Sequence, residues 1–266
     1  MWCENCQHET HLDICELCGS KTDAVVPTDV FWCAECKTPI IRNRNDADKE
    51  RCPLCNGKAK YLAADIRVVF PEERLLLELM LDKPLVYKDC SVWANNSRYY
   101  INGKSVSLTS KMYSKYTPEY LLSKLQEYHD QNQYDVFKQF IERFIRANST
   151  RFHEIVNEAH QFIQEQASKF PIENIVLSFS GGKDSTVTAD LVTKALQNPS
   201  LVHIFGNTTL EFPLTIAYAN RFRDNHPLAI FKTAKNNEQD FMSVCEDIGP
   251  PARMMRWCCS MFKTGP

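Results

Sequence analysis

From Pro118 onward the apolar positions fall at helical spacing. Tyr120, Leu121, Leu122, Leu125 and Tyr128 form one stripe, and Phe137, Phe140, Ile141, Phe144 and Ile145 a second. A third helix, predicted from Phe152 to Phe170, places Phe152, Ile155, Val156, Ala159, Phe162, Ile163 and Ala167 on one face. Pro171 closes it, and its apolar face is expected to cover a sheet whose first strand spans residues 174–179. The periodicity then alternates between short apolar runs and helical patterns. Strands are predicted at 174–179, 201–205 and 228–232, with helices between them. That order describes an α/β domain with a doubly wound parallel sheet over residues 150–266. Upstream, a helix is predicted from Leu75 to Leu81, and short strands at Val92-Trp93, Arg98–Lys104 and Val106, with Asn102-Gly103 as a hairpin turn. Residues 61–149 therefore read as a small α+β and helical connecting module.

Composition narrows the partners. The formal net charge is −2, so no global field points to nucleic acid. No apolar run is long enough to span a bilayer, and Met1-Trp2-Cys3 leads directly into a metal-type motif rather than a signal peptide. Of the 12 cysteines, eight stand in Cys-x-x-Cys pairs, which favours metal ligation in a reducing cytoplasm over disulfides.

Those pairs occupy residues 1–60. Cys3, Cys6, Cys15 and Cys18 form one set; Cys33, Cys36, Cys52 and Cys55 form the next. Two pairs close a tetrahedral site with four thiolates, so two structural zinc ribbons are expected, with iron–sulfur as the alternative. Gly19 and Gly57 follow the second pair of each set, where the turn calls for a flexible backbone. His8 and His11 read as bystanders. Arg42, Arg44, Lys49 and Arg51 in the second ribbon offer a nucleic-acid contact, but Asp46, Asp48 and Glu50 interleave with them as in a solvated loop. Trp93, Tyr99 and Tyr100 beside Arg98 carry two readings, base stacking or a half-buried strand surface; Cys90 reads as a packed thiol.

The most chemically loaded stretch follows the 174–179 strand. Ser180-Gly181-Gly182-Lys183-Asp184-Ser185 is a strand–glycine turn–helix junction. Two glycines let the backbone approach a phosphate, and the free amides of the helix start point toward it. Lys183 adds positive charge, and Ser180, Ser185 and Thr186 add hydroxyls. Asp184 repels phosphate unless magnesium sits between them. Leu177 stands where a Walker loop needs glycine, and the adjacent Gly181 and Gly182 do not make a dinucleotide fingerprint.

Ser180-Gly181-Gly182-Lys183-Asp184-Ser185 resembles the pyrophosphate loop (PP-loop) of the adenine-nucleotide alpha-hydrolase superfamily, and in particular its phosphoadenosine phosphosulfate (PAPS) reductase family. Two later segments carry the same resemblance in the same order. One is Val202 to Pro213, with Asn207 and Glu211; the other is Gly249 to Lys263, with Arg253, Arg256, Cys258-Cys259 and Lys263. Glu211 has two readings, a cleft residue or an acid at a helix start. The resemblance implies that Arg253, Arg256 and Lys263 face phosphates. It also implies that Cys258 and Cys259 are half of a four-iron cluster site, against the plainer reading of two cysteines on a helix. The pattern stops at Pro266 without the family's second cysteine pair or nucleophilic cysteine, so a truncated domain is expected. As a PAPS-reductase-type enzyme, the protein would bind PAPS or APS, release sulfite by thiol attack and be reduced by a thioredoxin-type partner. Used as an ATP pyrophosphatase, the same loop would adenylate a nucleic acid or other acceptor with magnesium beside Asp184. A nucleotide-sensing adaptor is a third expectation.

Overall fold

Cysteine knuckles and short hairpins build the first part of the chain. The structure, a computed structural model, describes residues 1–23, 26–109, 112, 114–131 and 134–265. It divides into two units, Met1–Ile155 and Val156–Pro266.

In the first unit β1 (Trp2–Cys3) and β2 (His8–Glu9) pair antiparallel. β3 (Thr28–Cys33), β4 (Thr38–Asn43) and β5 (Ala59–Ala63) form a sheet in the order β4-β3-β5. A four-stranded meander follows: β6 (Arg67–Val68), β7 (Val92–Asn95), β8 (Arg98–Ile101) and β9 (Lys104–Ser107). Asn102 and Gly103 both have positive φ, as the two-residue hairpin requires. Gly103 is needed for a second reason, since a Cβ there would lie 2.4 Å from the Trp32 ring of the ribbon. Helix α1 (Pro71–Met80) starts on a proline and buries Leu75, Leu77 and Leu79. Within it Arg74 and Glu78 pair in the interior, where the Glu78 carboxylate accepts the Leu85 and Tyr87 amides at 2.9 and 2.7 Å. Helices α2 (Pro118–Glu127) and α3 (Tyr134–Ala147) follow the predicted stripes. Trp93, Tyr99 and Tyr100 are 2, 8 and 6% exposed, so they are core residues, and the base-stacking reading falls.

In the second unit β10 (Val176–Phe179), β11 (Val202–Asn207) and β12 (Ile230–Lys235) are parallel and adjacent in chain order. Val176, Val202 and Ile230 are in register, as are Phe179, Phe205 and Thr233. The crossovers are α5 (Lys183–Ala195) and α6 (Pro213–Asn225). Sequential strand order with right-handed crossovers puts both helices on one face of the sheet. Their core joins Leu177, Phe179, Phe205, Ala189, Val192, Ala219 and Phe222. On the other face Val176 and Ile230 stay about half exposed. This is an α/β parallel sheet, and among the described residues it forms one wing of a doubly wound arrangement.

Helix α4 (Ser149–Ala167) departs from expectation. Phe152, Ile155 and Phe162 are half exposed. Ile163 joins the sheet core, and Gln164 donates to the Ala195 carbonyl at the end of α5. The stripe thus meets the sheet core through Ile163, while much of its apolar surface stays exposed. Beyond β12, α7 (Phe241–Ile248) leads through a turn to α8 (Trp257–Cys259), which continues as a π-helical turn, Ser260–Thr264. Among the described residues no helix is long and apolar enough to cross a membrane.

Candidate functional site

The two cysteine sets are assembled as metal sites. In each, all four sulfurs lie within 4.8 Å of one another. Measured pairs are Cys3–Cys18 at 3.6 Å, Cys33–Cys55 at 3.6 Å and Cys36–Cys52 at 3.8 Å. A tetrahedral ion with metal–sulfur bonds of about 2.3 Å sets its sulfurs about 3.8 Å apart. The protein geometry thus fits one ion per set; an iron–sulfur cluster spreads its thiolates over several irons and needs a wider cage. Crowding couples full ionisation to a cation. Hydrogen bonding shared with Cys18 pushes the Cys6 thiol up to about 12, and burial pushes Cys36 up to about 11. Four sulfurs this close cannot all ionise unless a cation balances them.

The backbone is shaped for the same task. In every knuckle the residue after the second cysteine adopts positive φ: Gln7, Gly19, Lys37 and Asn56. Gly57 is not the left-handed residue; Asn56 is, since asparagine tolerates that conformation. The Cys6 and Cys36 amides point at Cys3 and Cys33 sulfurs at 3.4 Å, and the Gly57 amide at Cys55. Helix α3 reaches the second site, where Arg143 donates to the Cys36 carbonyl at 3.0 Å. Asn148 accepts the Ile41 amide at 2.7 Å and donates to the Pro39 carbonyl at 3.1 Å. His8 lies against Glu16 at 3.4 Å, beside a set already complete in thiols. The basic loop is partly neutralised, with Arg44 on Asp29 at 3.1 Å and Lys58 on Glu50 at 3.6 Å.

The turn after β10 is open to solvent. Gly181 has φ +75°, and a Cβ there would lie 3.2 Å from the Thr215 methyl, so glycine is required twice over. Gly182 takes the N-cap position and offers no side-chain cap. Helix bonding begins with the Thr186 amide on the Gly182 carbonyl at 3.1 Å. The amides of Lys183, Asp184 and Ser185 therefore have no acceptor among the described residues, which is the electrostatic condition for holding an anion. Ser180 and Ser185 hydroxyls lie 3.2 Å apart, and Ser185 and Thr186 donate to the Gly182 carbonyl. Lys183 and Asp184 are about nine-tenths exposed and 3.5 Å apart. Tyr218, which the sequence reading did not single out, bonds Thr186 at 3.0 Å and with Thr215 walls one side of the turn. Its only sequence signal is the three-residue spacing from Thr215 on α6.

Strand register sets the second loop beside the first, because Phe179 pairs with Phe205 and both loops leave at the carboxyl edge. There Asn207 accepts the Thr209 amide at 2.9 Å, and Thr208 donates to Glu211 at 2.8 Å. The other Glu211 oxygen is buried without a partner among the described residues. Thr209, in a positive-φ conformation, accepts the Phe241 amide at 2.9 Å and so ties α7 to this edge. The last segment is anchored by Phe262, 1% exposed, against Phe241 and Trp257, and by Asn236, which donates to the Met261 carbonyl. Lys263 lies on that anchored turn; Arg253 and Arg256 are exposed just before it. Cys258 and Cys259 belong to no group of three or more ligating side chains among the described residues.

Similarity to known proteins agrees with this layout. Residues 174–266 match the family described as phosphoadenosine phosphosulfate reductase domain. Two uncharacterized proteins of Methanocaldococcus jannaschii are each 31% identical, over 128 and 133 residues, or 47% and 50% of this chain. A probable FAD synthase of Caenorhabditis elegans is 41% identical over 56 residues, 21% of this chain and 11% of its own length. The matched regions span only 30% and 27% of the two archaeal relatives. With its parallel sheet and glycine turn, the stretch from residue 174 to 266 matches the phosphoadenosine phosphosulfate reductase domain, and it follows two four-cysteine groups that could each hold a metal ion.

Proposed function

We propose that this domain is an enzyme of sulfur chemistry that seats the phosphates of PAPS or APS in the Ser180–Ser185 turn. The supporting observation is the trio of unpaired amides at Lys183, Asp184 and Ser185 beside an open lysine. Gly181 lets the chain pass close to the phosphate, and Ser180 and Ser185 add hydroxyl donors. Arg253, Arg256 and Lys263 neutralise the remaining phosphate charge by forked or point contacts. Asn207 and Glu211 line the same edge and orient the nucleoside.

In the reaction a thiolate forms a bond to the sulfonate sulfur, and the sulfur–oxygen bond to the nucleotide breaks. The electron pair leaves with the nucleotide phosphate, giving a thiosulfonate on the attacking cysteine. A thioredoxin-type dithiol then displaces sulfite and is itself oxidised to a disulfide. The four-cysteine sites hold zinc as structural ions, because four thiolates leave no open position for substrate.

Asp184 beside Lys183 favours a second reading. One carboxylate plus nucleotide phosphates is the usual magnesium donor set, and the ion would offset charge on a departing pyrophosphate. One anaerobic assay separates the two. The protein receives PAPS with a thioredoxin system or, separately, ATP with magnesium and nucleic acid. Sulfite is the expected product; pyrophosphate without sulfite would overturn the first reading in favour of the second.

A further inference from the structure

A cavity of about 250 Å³ opens at the amino edge of the parallel sheet, the edge opposite the glycine turn. Pro199 precedes β11, Leu228 and Ala229 precede β12, and Asp190, Thr193, Phe222 and His226 come from the carboxyl-terminal halves of α5 and α6. Its deep wall is His203, 2% exposed, whose Nδ1 faces the Leu201 carbonyl at 3.0 Å. A carbonyl only accepts, so Nδ1 carries the proton and Nε2 keeps its lone pair. Among the described residues Nε2 has no hydrogen-bond partner. Burial holds the ring below the usual imidazole range, which keeps it neutral. His226 has the same polarity, its Nδ1 on the Phe222 carbonyl at 2.8 Å and its ring stacked on Phe222 at 4.1 Å. Asp190 uses one oxygen on Lys194 at 2.8 Å. The cavity thus presents acceptors on an aromatic and proline-lined wall, with Thr193 and Asn225 able both to accept and to donate. Two helix carboxyl ends add negative potential.

We propose that this cavity is a binding site for a small, flat, uncharged heteroaromatic ring bearing N–H donors, of the nucleobase class. Its charge is opposite to that of the glycine turn. The turn attracts phosphate, whereas Asp190 and the helix ends repel it, so the cavity takes a base or nucleoside and rejects the nucleotide. Volume agrees: about 250 Å³ admits one bicyclic ring. A metal ion is not the occupant, because His203, His226 and Asp190 do not come together as a ligating group.

The test is histidine-resolved nitrogen NMR of the full chain titrated with adenine, purine and AMP. Adenine should move the His203 ring signals saturably, and equally well in Lys183→Ala, which separates this site from the turn. Purine, lacking the amino donor, should bind roughly tenfold more weakly, the value of one neutral hydrogen bond. AMP should also bind more weakly than adenine, and Asp190→Asn should narrow that gap. His203 signals that stay fixed under adenine, or that move as readily with AMP, would overturn the proposal.

Discussion

At the scale of single residues, Gly181 and Lys183 would serve the proposed anion site by different physics. Gly181→Ala places a Cβ at positive φ and against Thr215, so it should cost about 1–2 kcal/mol of stability and distort the turn. Thermal melting and nucleotide titration on one sample check both effects; an unchanged melt and affinity would contradict the close approach. Lys183→Ala leaves the fold alone, since the side chain is exposed. It removes a charge-assisted contact worth about 1.5–3 kcal/mol, so affinity should fall roughly ten- to hundredfold by calorimetry. Both residues were legible in the sequence because their chemistry is local. Tyr218 was not, since its contact with Thr186 depends on how α6 crosses the sheet. Asn56 was misassigned to its neighbour Gly57 for a related reason: composition marks glycine, but the knuckle fixes which position turns left-handed.

Individual elements were read well where periodicity is strong. The helices at 118–127 and 134–147 and the three parallel strands fall where the apolar spacing puts them. The 149–167 stripe packs on the sheet core only in part, through Ile163, because periodicity reports which face is apolar and not how much of it finds a partner. Long-range polar ties were invisible for the same reason. Asn148 meets β4 more than a hundred residues away. Asn148→Ala leaves the half-buried Ile41 amide and the buried Pro39 carbonyl short of partners and should destabilise the first unit by about 1–3 kcal/mol. Denaturant titration would read it; a loss below measurement error would contradict the tie.

A second tie joins β6 to α1. Arg67 grips Glu73 with two bonds at 2.7 and 2.5 Å, and Tyr99 donates to the same carboxylate at 2.8 Å. The Arg67 bonds, then Tyr99, hold Glu73 below the usual carboxylate range. A depressed folded value contributes stability above the unfolded value, about 4.3, and loses it as pH falls through the folded value. Glu73→Gln should therefore cost about 0.5–1 kcal/mol at neutral pH, where the partly exposed pair is screened, and nothing once the wild-type carboxylate is protonated. Unfolding midpoints of the two proteins should converge on acidification; a constant gap would refute the pairing.

The two units of the molecule are stabilised differently. Residues 1–155 combine two four-cysteine groups able to hold metal with two small apolar clusters, and an apolar sheet core supports residues 156–266. The cysteine spacing disclosed the first and strand–helix alternation the second, whereas the boundary between the units was hidden inside a continuous helix. A thiol-competing chelator should lower the melting of the first unit only, and nucleotide should raise that of the second only. Metal analysis should return about two zinc ions per chain. A single transition shifted by both agents would contradict the division.

The central claim is that the turn after β10 wraps its free amides around a nucleotide's phosphates. The most direct measurement is amide NMR of the full chain titrated with PAPS. The account predicts that the Gly181, Gly182, Lys183, Asp184 and Ser185 signals shift together and saturate at one affinity. PAPS that binds while those five amides stay still, or that does not bind at all, would contradict it.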